Sequence, residues 1–180
     1  MIYTTTYQAP APIGTLFLAS KNGKLIGLWM EGRSYDLGDA KFIKEKPEEE
    51  VLVKTKNWLN QYFRGEKPSI QELHLAPKGT PFQHAVWKML CEIPYGETIT
   101  YGELANKMAQ MTHQAKMSPQ AIGGAVGHNP ILIVIPCHRV IGANGSLTGY
   151  AGGISKKEYL LAFEKGGKKG SLFKTKELIK

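Results

Sequence analysis

Residues 80–127 read "TPFQHAVWKMLCEIPYGETITYGELANKMAQMTHQAKMSPQAIGGAVG", and three helix starts follow one another in that stretch. Thr80 is placed to cap, and Pro81 to open, the helix "PFQHAVWKMLCEI". Phe82, Val86, Met89, Leu90 and Ile93 recur on one face of it. Cys91 sits beside that face and reads as a small core residue. "PYGET" turns the chain, and Thr100-x-x-Glu103 is a capping box at the head of "TYGELANKMAQM". After a polar link, Ser118-Pro119 repeats the cap-then-proline signal and opens "PQAIGGAVG".

The last two of these helices, joined by a polar link, have the pattern of a helix-turn-helix. Gly123, Gly124 and Ala125 would let the backbone come close to a DNA groove. Close packing against a neighbouring helix calls for the same small residues, so the pattern alone leaves both readings open. Each glycine costs about 1 kcal/mol against alanine inside a helix, so two in a row need a compensating use.

Upstream, "APKGTPFQ" at 76–83 is a Pro/Gly-rich joint, and the chain before it changes character. "MIYTTTY", "TLFLAS" and "LIGLWM" are short and rich in β-formers, with Asn22-Gly23 marking a tight hairpin between the second and third. "KPEEEVLVKTKNWLNQYFRG" reads as a helix opened by Pro47, with Glu48–Glu50 at its positive end and Gly65 closing it. "SIQELHL" reads as a further strand, and His74 within it as structural. Downstream, "GHNP" ends the small-residue helix, and Ser155-x-x-Glu158 reads as the cap of a last helix, "KKEYLLAFEKGG". The expected fold class is α/β (α+β). The domains expected are an N-terminal α/β unit over 1–78, a mostly helical unit over 79–167 and a basic tail over 168–180.

Composition narrows the function classes. The chain has 180 residues, 42% of them apolar, and reads as globular. No run approaches the ~20 apolar residues of a membrane span, and "MIYTTTYQAPAPIG" has neither part of a secretory signal. Cys91 and Cys137 stand far apart, with no CxxC or HxxxH partner, so neither a disulfide framework nor a metal site is expected. A reducing, cytoplasmic setting with free thiols follows. The net charge of +8 favours a polyanionic partner. Half of that excess sits in residues 166–180, where five lysines meet one glutamate, so charge by itself does not establish nucleic-acid binding.

"ILIVIPCHRVIGANG", 131–145, drives an apolar run through Pro136 into Cys137-His138-Arg139. By its residues alone Cys137 is an inert buried thiol, a hydrolase-type nucleophile with His138 as base, or a stoichiometric acceptor. Side chains adjacent in sequence diverge, so Cys137 and His138 need a sharp turn or a bridging water to communicate. That favours a relay over a simple dyad. Arg139 adds positive charge nearby, which favours a thiolate.

"TPFQHAVWKMLCEIPYGETITYGELA", "GAVGHNP", "IPCHRVIGANGSLTGYAGG" and "KKEYLLAFE" occur in one order, at spacings that resemble the O6-alkylguanine-DNA alkyltransferase (methylated-DNA–protein-cysteine methyltransferase) family. The match spans about 80–165. The first half resembles, more loosely, that family's ribonuclease-H-like domain, and the second its winged helix-turn-helix-like domain.

The resemblance implies DNA repair by direct, single-turnover transfer of an alkyl group from guanine O6, with thymine O4 as a further candidate substrate, to Cys137. His138 would act through a water as the base, Glu164 would orient the imidazole, and Asn129 would be the hinge before the nucleophile. Tyr101 would protonate guanine N3; a phenol stays protonated at neutral pH and can do so. The backbone around Val140 and Ala151, with Gly152, would meet the guanine edge, and the five glycines from Gly142 to Gly153 would let a loop fold over the base. Arg139 would lie on the substrate side.

Gln120, Ala121 and Gly124 would face DNA, with Gln120 standing where the family carries an intercalating arginine. Ala151 stands where some members have serine. The base must rotate out of the duplex to reach a sulfur held in a core. The implied partner is double-stranded DNA containing O6-alkylguanine, met by a monomer without metal or organic cofactor. A damage-binding protein that does no chemistry and a redox-sensing helix-turn-helix regulator are the competing classes.

Overall fold

The structure, a computed structural model, describes residues 1–33, 35–38, 41–166 and 174–175. It is a mixed α+β chain, with a sheet unit first and a helical unit second. Contacts group residues 1–78 with 130–134, and residues 79–129 with the described residues from 135 onward.

In the first unit, β1 (Ile2–Gln8), β2 (Thr15–Lys21), β3 (Lys24–Met30) and β4 (Ile43–Glu45) form one sheet in the order β3-β2-β1-β4. The β2–β3 hairpin turns at Asn22 and Gly23, with φ of 51° and 71°. Both lie in the left-handed region that such a two-residue turn requires, which is why the Asn-Gly pair marks it. β4 pairs parallel to β1 and its three residues are exposed; it is too short to leave a periodic signal in the sequence.

α1 (Glu50–Phe63) packs on β1, β2 and β3 and buries Val51, Leu52, Thr55, Trp58, Leu59 and Tyr62. It starts three residues later than Pro47. The Lys46 carbonyl accepts from Glu49 N–H at 3.1 Å, so Pro47 is the second residue of a β-turn and not the first of a helix. "SIQELHL" is likewise no strand. Ser69 caps a 3-10 turn over Ile70–Glu72, and only Leu75 bridges to the sheet, at Leu25. The His74 side chain is exposed.

Residues 130–134 run beside β3, with Leu28 N–H on the Pro130 carbonyl (2.9 Å) and Leu132 N–H on the Leu28 carbonyl (3.0 Å). Ile131 through Ile135 are all buried. Ile133 has φ of 69°, a conformation costly for a β-branched residue, so this run is a bent segment and not a regular strand.

The second unit holds α2 (Pro81–Cys91), β5 (Ile99–Thr100), α3 (Tyr101–Met111), α4 (Pro119–Gly127), β6 (Val140–Ile141), β7 (Ser146–Leu147), α5 (Ile154–Glu164) and β8 (Lys174–Thr175). The first three helix starts form as the sequence predicts. Thr80 makes a full capping box with Gln83, Thr100 makes one with Glu103, and Ser118 Oγ accepts from Gln120 and Ala121 N–H.

α4 packs against α2 and α3, burying Ile122, Ala125 and Val126. The indole of buried Trp87 donates to the Ala125 carbonyl at 2.8 Å. Ala125 therefore belongs to the core side of α4, while Gln120, Ala121, Gly124 and Gly127 are exposed. α5 begins at Ile154, not after Ser155. Its N-cap is Gly153 at φ 100°, a backbone turn only glycine makes without strain, and this leaves Ser155 inside the first turn. Apart from β8, which pairs with β7, the basic tail expected over 168–180 lies outside the described residues.

Candidate active site

The turn that carries Cys137 is built from two tight reversals. Pro136, at φ −82° and ψ 62°, is the centre of an inverse γ-turn closed by Cys137 N–H on the Ile135 carbonyl at 2.8 Å. Cys137–Arg139 then form one 3-10 turn. At three residues per turn, consecutive side chains point about 120° apart, so Cys137 and His138 diverge, as their adjacency in the sequence requires.

Cys137 is buried, at 3% exposure. Burial pushes its thiol up from the ordinary value. Against this act a hydrogen bond from the Asn129 side chain and the positive charge of Lys157. Asn129 is itself buried, and its Nδ2 donates to the Ile135 carbonyl at 2.8 Å. It thus braces the γ-turn that aims the thiol.

His138 is fully buried, and its Nε2 lies 2.6 Å from Glu164 Oε1. Arg139 grips the same carboxylate with two bonds, Nε to Oε2 at 2.9 Å and Nη2 to Oε1 at 3.0 Å; Gly96 N–H adds a third, to Oε2 at 3.3 Å. Arg139 Nη1 donates to the Ile93 carbonyl at 2.7 Å. Burial alone would raise Glu164, but His138 and Arg139 outweigh it and hold the carboxyl well below the usual carboxylate range.

An ionised carboxylate only accepts, so His138 Nε2 carries the proton and donates it. The lone pair of the neutral ring is then on Nδ1, which has no hydrogen-bond partner among the described residues. Burial lowers the affinity of His138 for a second proton, partly offset by Glu164. The result is a neutral imidazole of fixed tautomer beside a permanent anion.

Tyr101 is the first residue of α3, and its hydroxyl donates to the Thr148 carbonyl at 3.3 Å. Burial raises this phenol further above neutrality, so it keeps its proton. The Val140 side chain is buried and its carbonyl accepts from Lys157 Nζ at 2.6 Å. Ala151 and Gly152 are half-buried in the loop after Tyr150. Gln120, Ala121 and Gly124 are on the exposed side of α4, whereas Cys137 is buried; Gln120 Oε1 accepts from Ser118 Oγ at 2.8 Å. Arg139 is turned inward onto Glu164 and Ile93.

A cleft of about 330 Å³ lined by Met89, Glu92, Ile93, Glu97, Glu103 and Lys107 does not include Cys137. Cys91 is half-buried, and burial pushes its thiol up to about 11, which leaves it a poor nucleophile. Among the described residues no cluster of three or more His, Cys, Asp or Glu could hold a metal ion, and no helix is long and apolar enough to cross a membrane.

Sequence reasoning missed two members of this cluster. One is Tyr150, whose buried hydroxyl has no partner among the described residues and whose ring stands edge-on to His138. The other is Lys157, completely buried on α5. Lys157, Leu160, Leu161 and Glu164 are spaced as one helical stripe, and all four are buried. That spacing was the available signal: a lysine at a core position.

Residues 81–166 match the family model of the 6-O-methylguanine DNA methyltransferase DNA binding domain, and residues 1–77 that of the same family's ribonuclease-like domain. The methylated-DNA–protein-cysteine methyltransferase of Mycobacterium tuberculosis is 43% identical over 165 residues, covering 92% of this chain and 93% of its own. The Haemophilus influenzae protein of the same name is 40% identical over 164 residues, covering 91% and 87%. The crystal structure of the M. tuberculosis O6-methylguanine methyltransferase superposes with a TM-score of 0.77 at 40% identity, covering 96% of this chain and 98% of that one. A second structure of that protein, in complex with DNA, superposes with a TM-score of 0.77 at 41% identity, covering 91% and 93%.

Proposed function

The chain belongs to the 6-O-methylguanine DNA methyltransferase family and repairs DNA by alkyl transfer, and within that activity we propose that Cys137 is the acceptor of an alkyl group from O6-alkylguanine. The observation that carries the reading is the 2.6 Å contact from His138 Nε2 to Glu164, because it leaves the basic lone pair on Nδ1. In the proposed sequence the Cys137 proton passes through a water to His138 Nδ1, and Glu164 stabilises the imidazolium. The thiolate attacks the alkyl carbon, the carbon–O6 bond breaks, and its electrons stay on the purine. Tyr101 gives its proton to N3, and the proton held by the imidazolium makes good that loss. The product is a thioether with no ready leaving path, so each monomer acts once.

Because Cys137 is almost wholly buried, the protein must yield to admit the extruded base; the segment proposed to do so is 148–153, whose Tyr150 acts on Cys137 and whose Gly149 and Gly153 both sit at positive φ. The free thiols of Cys91 and Cys137 fit a reducing compartment such as the cytoplasm.

The test is intact mass after exposure to duplex DNA containing O6-methylguanine. One methyl group should appear, on the peptide bearing Cys137. A methyl on Cys91 instead would overturn the assignment, and an unchanged mass with intact binding would favour a pure damage binder.

Two further outcomes follow for the α4 face. Gln120 brings no charge and little stacking surface, yet it stands exposed at the head of α4. Gln120→Ala should weaken binding and slow repair of duplex DNA while leaving reaction with a single-stranded substrate nearly unchanged; equal rates on the duplex would remove Gln120 from the flipping step. Gly124 is exposed, and a Cβ added there meets nothing within 4 Å. Gly124→Ala should therefore stabilise α4 by about 1 kcal/mol, seen as a melting temperature higher by roughly 2–4 °C. The same variant should bind duplex DNA less tightly, since the added methyl stands on the face that approaches the backbone. A stabilised variant with unchanged affinity would move the DNA contact off this face.

A further inference from the structure

Lys157 has no part in the transfer as described, yet it is completely buried. Lysine is almost never buried unless paired, and among the described residues no carboxylate pairs with it. Its Nζ donates to the carbonyls of Val140 (2.6 Å) and Thr148 (3.2 Å) and lies 5.8 Å from the centre of the Tyr101 ring. The charged or titratable groups it acts on or touches are Cys137 and His138 on the 3-10 turn and Tyr101 on α3; Tyr150, on the loop before α5, acts on Cys137, and Glu164, further along its own helix, on His138. Glu164 is already committed to His138 and Arg139. An ammonium held by two neutral carbonyls is under-compensated. Burial draws it down to about 8, and Cys137 is the group that acts to restore it.

We propose that Lys157 is the counter-charge of the alkyl transfer: a positioning residue whose ammonium favours the Cys137 thiolate and stays beside the negative charge as it moves toward Tyr101. This rests on the reading of Cys137 as acceptor and Tyr101 as proton donor. In that reaction negative charge starts on sulfur, passes to the purine, and rests on the phenol until the imidazolium proton returns. Lys157 neighbours both ends of that path, and a fixed charge in a dry site needs no reorganisation as the reaction proceeds.

Its hydrogen bonds add a second effect. The Thr148 carbonyl accepts from both Tyr101 Oη and Lys157 Nζ. When Tyr101 turns its hydroxyl to the base, the part-buried Thr148 carbonyl keeps a donor, so it is not orphaned by the step.

The experiment measures single-turnover methyl transfer against pH in the full chain and in Lys157→Met, Lys157→Gln and Lys157→Arg. Alongside it, the rate of Cys137 alkylation by iodoacetamide is followed against pH without DNA. Loss of the charge in the Met and Gln variants should slow transfer on the order of 10²-fold near pH 7. The acid limb of both profiles should move to higher pH, while Arg keeps most of the rate and the original limb. The unaltered chain should also lose rate above about pH 8, as the ammonium deprotonates, and the Met variant should show no such fall. Gln keeps a donor for the two carbonyls, so it carries the test should the Met variant not fold. Variants that are slower with unmoved profiles, or a Gln variant as fast as the parent, would overturn the proposal. A methyl found away from Cys137 would overturn the acceptor reading instead; the iodoacetamide profile, which involves no alkyl transfer, would still report the effect of Lys157 on the thiol.

Discussion

Cys137→Ser should abolish methyl transfer while duplex binding and folding persist. The substitution exchanges one buried atom, and the γ-turn at Pro136 and the Asn129 bond to Ile135 hold the backbone either way. What changes is acidity. A thiol is far more acidic than an alcohol, and although burial pushes the Cys137 thiol up, the Asn129 hydrogen bond and the Lys157 charge act against that rise. A serine hydroxyl ionises far less readily, and neither an imidazole whose basicity burial has lowered nor one nearby ammonium can make up the difference. The expected loss is on the order of 10⁴-fold or more in single-turnover rate, the scale seen when a nucleophile is removed from a preorganised site. Intact mass should stay unmethylated over hours, with damaged duplex still retained by the protein. A serine variant that acquires a methyl at a rate near the parent's would place the acceptor elsewhere.

Local rules carried far along this chain because its punctuation is strong. Thr80, Thr100 and Ser118 each cap as the sequence implies, since each has its backbone donors within one turn. Asn22-Gly23 fixes the hairpin because few other pairs tolerate two left-handed residues. The two misread helix starts share a cause. Pro47 and Ser155 carry genuine helix-start signals, but a β-turn and Gly153, respectively, claim the chain first.

For the site, periodicity could not bring His138 and Glu164 together across 26 positions; only the family resemblance did. Lys157 escaped both routes. It sits in "SKKEYLL", where a charged run is most simply read as a solvated face, although its position shares the stripe of Leu160, Leu161 and Glu164.

Glu164→Gln tests whether that carboxylate does more than fill space. Glutamine keeps the shape but offers one accepting oxygen and one NH₂ group to a set of four donors: His138 Nε2–H, two from Arg139, and Gly96 N–H. The NH₂ group, in place of either oxygen, then faces two of them, one from Arg139 and the other from His138 or Gly96. Where the NH₂ group faces His138, the imidazole can avoid the clash by shifting its proton to Nδ1, which removes the lone pair that the proposed relay uses. Transfer should fall on the order of 10²–10⁴-fold, the range for loss of a general base or of its correct tautomer. Arg139 is left buried without an anion, so stability should drop by about 3–5 kcal/mol.

The pH dependence separates the two contributions. Glu164 titrates below its ordinary 4.5 when folded, so its stabilisation is complete above that pH and is lost as pH falls below it. His138 is also held below its ordinary 6.5, so the unfolded chain takes up that proton first and stability begins to fall from about 6.5 downward. Melting temperature followed from pH 7 to 3.5 should thus decline in two stages for the parent. The Gln variant should start lower and lack the Glu164 share of the second stage, below 4.5. A variant that transfers methyl at the parent rate, with the same two-stage profile, would show that the carboxylate neither fixes the tautomer nor bears the buried charge.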